Sequence, residues 1–69
     1  MQLTAAIVRE GDWYVARCLQ VEVTSQGETI ELALSNLQEA LGLYFEDEPL
    51  PDSVSIPIIA PVEVTPRAA

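Results

Sequence analysis

At 69 residues the chain is one small domain at most, and a domain of that size buries only about 60% of the surface its unfolded form exposes. A single cysteine, Cys18, and no histidine exclude an internal disulfide and a structural zinc site, so association is the expected remedy for a thin core. Three arginines and no lysine against 11 acids give a net charge of −8, which disfavours nucleic acid and anionic membranes as partners and suits a basic protein, while 49% hydrophobic residues exclude a disordered chain.

Gln2 to Val8, QLTAAIV, is β-compatible and free of Gly and Pro, and predicts a first strand. Glu10-Gly11-Asp12 signals a turn, and Asp12 to Leu19 predicts a second strand. A hairpin loop of either two or four residues puts Leu3, Ala5 and Ile7 on one face with Tyr14, Ala16 and Cys18. The other face then carries Thr4, Ala6, Val8, Trp13, Val15 and Arg17. Val21 to Ser25 alternates again, which predicts a third short strand ended by Gln26-Gly27.

From Thr29 the period changes to 3.6. Ile30, Ala33, Leu34, Leu37, Ala40, Leu41 and Tyr44 follow the spacing of an amphipathic helix. Thr29 suits the N-cap, and Glu28 and Glu31 suit the positive end of the dipole. Gly42 marks either a close contact or a tolerated position, and Pro49 and Pro51 end the helix. Asp52 to Ala69 is punctuated by Pro57, Pro61 and Pro66, yet Val62-Glu63-Val64 alternates and predicts an extended arm ending in a short strand. The expectation is an α+β fold of order β-β-β-α-β, with one helix on one face of a three- to four-stranded sheet. Residues 1–65 form the single domain, and 66–69 a disordered tail.

One helix covers one face. Ala5, Ala16 and Cys18 are small enough to let it approach, so the uncovered face displays Ala6, Val8, Trp13, Val15 and Arg17. An apolar patch with an aromatic at its centre marks a candidate interface, to self or to a partner. The alternatives are an inverted face assignment, or the proline-rich arm folding over the patch.

Catalysis finds little support. Ser–His and Cys–His chemistry require a histidine the chain lacks. Cys18 reads as a core cysteine, and two-metal chemistry needs acids converging from central strands, where only Glu22 is available. Gly27 alone is no phosphate loop. Glu46-Asp47-Glu48 reads as a solvated run at the helix end. No enzyme, cofactor or metal is expected. No apolar run approaches 18 residues, and the first segment has no signal-peptide pattern, so a cytoplasmic location is expected.

The stretch WYVARCLQVEVTSQGETIELALSNLQEALGLYFED resembles the amino-terminal domain of HicB-like antitoxins. The family pattern is a G-x-Y/W-x-A-x-C/S strand followed by a T/S-x-G-[DE]-T-x-x-E-A-L-x-N-L-x-E-A helix start. Tyr14, Ala16, Cys18, Ser25, Gly27, Glu28, Thr29, Ala33, Leu34, Asn36, Leu37, Glu39 and Ala40 match it, with Gly11 one position ahead of the pattern's glycine, across about residues 1–48. The resemblance implies a partial ribonuclease-H-like fold without that enzyme's catalytic acids, and binding to HicA, a small basic mRNA-cleaving toxin. On that reading Glu46, Asp47 and Glu48 are candidate toxin-facing acids. Many members add a carboxy-terminal DNA-binding domain, whereas this sequence stops at Ala69, and Leu19 to Val23 stands where many have a Pro-Gly turn. Direct nucleic-acid binding is not expected. Self-association as a dimer or tetramer is expected in either case, and the competing expectation is an orphan homo-oligomer or adaptor of the same fold with no toxin partner.

Overall fold

The computed structural model describes residues 1–67 and contains, in chain order, β1 (Ala5–Glu10), β2 (Trp13–Cys18), β3 (Thr24–Gly27) and α1 (Ile30–Asp47). The fold is α+β, a three-stranded antiparallel sheet of order β1-β2-β3 followed by one helix. Glu10 pairs with Trp13, so the first hairpin closes through the two-residue loop Gly11-Asp12. Gly11 sits at φ 62°, and Asp12 keeps an ordinary negative φ, the pattern of a type II′ turn with glycine in its first central position.

Three expectations about strands need correction. The first strand runs over Ala5–Glu10 and not Gln2 to Val8, because the two-residue loop lets Arg9 and Glu10 pair with Tyr14 and Trp13. The third strand lies later than Val21–Ser25. Cys18 N–H donates to Val23 O and Val23 N–H to Val21 O, both at 2.9 Å, so residues 19–23 bend before β3 begins. Val21 and Val23 alternate because both pack partly against the core, and not because they lie in a ladder. The expected last strand is also missing: among the described residues none after α1 is in a strand, and Val62 and Val64 are exposed. Pro57, Pro61 and Pro66 remove amides that a central strand would use. Of the expected tail 66–69, Pro66 and Arg67 are exposed, and Ala68 and Ala69 lie outside the described residues.

The helix starts where its cap predicts. Thr29 is extended at φ −131° and its Oγ1 accepts from Leu32 N–H at 3.1 Å. Thr29→Ala is expected to cost about 1 kcal/mol, read from the urea midpoint, and an unchanged midpoint would contradict this role for the hydroxyl. At the other end Glu48 N–H donates to Tyr44 O at 3.1 Å before Pro49 stops the chain. Gly42 has no heavy atom within 4 Å of the place its Cβ would occupy, so it is a tolerated glycine. Gly42→Ala is expected to gain about 1 kcal/mol in thermal or urea unfolding, through helix propensity alone.

The core is small: Ala16, Cys18, Ala33 and Leu37, with Leu3, Ala5, Ile7, Tyr14, Val21, Val23 and Leu41 packed around it. The helix lies on the face of Ala5, Ala16 and Cys18, as the small residues there predict, and it packs principally on β3 and β2. Its approach is close. A Cβ on Gly27 would stand 2.6 Å from the amide nitrogen of Ala33 and 2.8 Å from Leu32 Cβ. Asn36 Nδ2 donates to Gln26 O at 2.8 Å and ties the same two elements together.

Candidate functional site

The register brings the five expected interface residues to one face. Val8 lies opposite Val15, Ala6 opposite Arg17, and Glu10 opposite Trp13, so these side chains share the side of the sheet away from α1. Val15 is in turn opposite Gln26, and Arg17 opposite Thr24. The result is a Val8–Val15 centre flanked by Trp13, with Arg17, Thr24, Gln26 and Glu10 around it. Trp13 is 43% exposed and Val8 56%, so the arm does not close this face.

The polar frame was not anticipated. Glu10 shares the parity of Ala6 and Val8, and a two-residue loop places it on their face, so that signal was present in the spacing. Thr24 and Gln26 required the true position of β3. A flat apolar centre with tryptophan and arginine at its edge has the chemistry of a protein contact: those two residue types supply much of the binding energy at interfaces.

Glu46, Asp47 and Glu48 are all exposed, and the structure does not bring them to this face. They sit at the carboxy end of α1, on the opposite side of the sheet, where the helix dipole adds to their negative potential. Glu48 borders a cleft of about 510 Å³ lined by Leu19, Val21, Tyr44, Phe45 and Val54. A single flat partner therefore touches either the sheet face or the acidic end. What the acids offer a partner on the sheet face is long-range attraction.

A second polar feature was not foreseen. The Gln20 side chain joins three segments: Thr4 N–H donates to its Oε1 at 2.9 Å, and its Nε2 donates to Thr4 Oγ1 at 3.1 Å and to Ser55 O at 3.3 Å. It fastens the start of β1, the bend after β2 and the start of the arm. Cys18 is buried beside it, its Sγ 3.6 Å from the same Oε1.

Among the described residues no cluster of three or more His, Cys, Asp or Glu side chains is placed to hold a metal ion, and no helix is long and apolar enough to cross a membrane. Compared with protein-family models, curated proteins and solved structures, the chain finds no match in any of the three.

Proposed function

We propose that this chain is a protein-binding module of the HicB-like antitoxin type, which occludes a small basic HicA-type mRNA-cleaving toxin. The observation that supports this best is the open sheet face. Val8 and Val15, flanked by Trp13, form an apolar patch on a side the helix leaves bare. The charge of −8 draws a basic ribonuclease toward the chain, and the motif from Trp13 to Asp47 supplies the family resemblance. The reading includes a partial ribonuclease-H-like fold that binds and does not cleave.

The test is a titration of a HicA-type ribonuclease with the chain, read by calorimetry and by cleavage of a reporter RNA. Stoichiometric inhibition is expected, weakening as salt rises. Trp13→Asp is expected to weaken binding by about 100-fold, as a charge in place of a large interface aromatic does, whereas Ser35→Asp on the exposed side of α1 leaves it unchanged. Absence of heat and of inhibition at micromolar concentrations would overturn the proposal.

A further inference from the structure

The carboxy end of α1 concentrates negative charge with no base beside it. Glu46, Asp47 and Glu48 close the helix, all three exposed, and its last turn holds no basic residue. Free carbonyls at this end form the negative pole of the helix dipole, so charge and dipole add where they ordinarily cancel. Asp52, also exposed, follows four residues after Glu48. The arginines stand elsewhere: Arg9 in β1, Arg17 in β2 and Arg67 at the far end of the arm.

This charge borders a cavity and not bare solvent. The cleft of about 510 Å³ at Glu48 lies within the size range of ligand sites, about 300–1,000 Å³, and none of the three arginines lines it. It has three walls: the bend at Leu19 to Val21, the last turn of α1, and the start of the arm from Pro49 to Pro57. Gln20 Nε2 donates to Ser55 O at 3.3 Å and braces the arm wall against the bend. Leu19, Val21 and Val54 are half-buried and make the cleft apolar inside.

The helix wall adds two aromatic rings. Tyr44 and Phe45 stand at 87° to each other with centroids 5.0 Å apart, and both line the cleft. Two perpendicular rings make a corner bounded by two π faces, each carrying the negative lobe of its quadrupole. A carboxylate, Glu48, lines the same cavity. That set suits a guanidinium, which stacks on an aromatic face and pairs with a carboxylate through two parallel N–H groups.

We propose that this cleft binds an extended segment of a partner protein that presents one arginine between apolar side chains. The guanidinium enters the Tyr44–Phe45 corner and pairs with Glu48, while the flanking side chains fill the space beside Leu19, Val21 and Val54. Charge selects the occupant: nucleic acid and other polyanions are repelled by Glu46, Asp47, Glu48 and Asp52. The apolar walls select a peptide over a free inorganic cation, which would lose its hydration there for little return. The site lies beside α1, on the side away from the open sheet face, and does not rest on the antitoxin reading.

The test is a titration of the isotopically labelled full chain with a capped pentapeptide that carries one central arginine between valines, followed by amide chemical shifts. Saturable shifts are expected at Leu19, Val21, Phe45 and Val54. The same peptide with citrulline for arginine, a neutral side chain of the same shape, is expected to bind about 10-fold more weakly, the worth of one charge-assisted hydrogen bond. Glu48→Arg is expected to cause at least the same loss, and its helix is retained because a cation suits that end of the dipole. Glu63→Arg changes the net charge by the same two units, stands in the arm outside the cleft, and leaves binding within about twofold. Tyr44→Leu keeps an apolar wall and is expected to weaken the arginine peptide about 3-fold while leaving the citrulline peptide unchanged. No shifts at about 1 mM peptide, equal binding of the two peptides, equal losses in Glu48→Arg and Glu63→Arg, or shifts confined to Val8, Trp13 and Val15 would each overturn the proposal. The toxin titration of Trp13→Asp is read at the other face, so the two proposals fail separately.

Discussion

Gly27→Ala is expected to destabilise the fold by about 3 kcal/mol, the upper part of the range for overpacked sites. The reason is the set of atoms the new methyl would meet. They are the amide nitrogen of Ala33 at 2.6 Å, and the carbonyl carbon and Cβ of Leu32 at 2.8 Å. None belongs to the movable end of a side chain. Relief therefore requires α1 to lift from β3, which loosens Ala33 and Leu37 against Ala16 and Cys18. Gly42→Ala is the same chemical change in open space and is expected to carry the opposite sign. Urea midpoints measured at constant slope decide the matter, and equal shifts in the two variants would refute the close-approach argument.

Leu37→Ala is expected to cost about 2–5 kcal/mol. Leu37 is 3% exposed and, among the described residues, is the largest of the four buried side chains, the others being two alanines and a cysteine. With so few buried groups, the cavity has little around it that can collapse inward. A domain of this length has a total stability of roughly 3–10 kcal/mol, so the variant approaches the limit of folding. The expected observation is a lost or strongly lowered thermal transition. Leu43→Ala, at a 61% exposed helix position, serves as the control with a change of about 0.5 kcal/mol or less. Similar transitions for the two variants would mean that the helix presents a different side to the sheet.

The periodic features were readable in the sequence because each is recorded within one element. The alternation of Ala5 and Ile7 against Ala6 and Val8 assigns the faces of the first hairpin. Thr29 before a 3.6-residue repeat marks the start of the helix. The candidate sheet face, Ala6, Val8, Trp13, Val15 and Arg17, followed from the same parity once the loop was short.

Features that depend on residues distant in sequence were not readable. Val21 and Val23 alternate as a strand does, and only the hydrogen bond between them reveals the bend. Gly27 reads as a turn glycine, yet its φ is not positive, and the requirement for it comes from the backbone of Leu32 and Ala33. The Gln20 links span 16 and 35 residues, and no local pattern announces them. Glu46, Asp47 and Glu48 were correctly placed at the helix end, but a charge run carries no direction, so their separation from the sheet face emerged from the structure.

The proline spacing in the arm also bears on solubility. Cross-β stacking requires a segment of about six or seven residues with high strand propensity and no proline. The uninterrupted runs here are Asp52 to Ile56, Ile58 to Ala60 and Val62 to Thr65, all shorter than that. Pro57 and Pro61 each act as a gatekeeper beside an isoleucine or valine that water already reaches. Replacing Pro61 with valine would join the last two into an eight-residue run, Ile58 to Thr65, and convert a punctuated segment into a template for unlimited stacking.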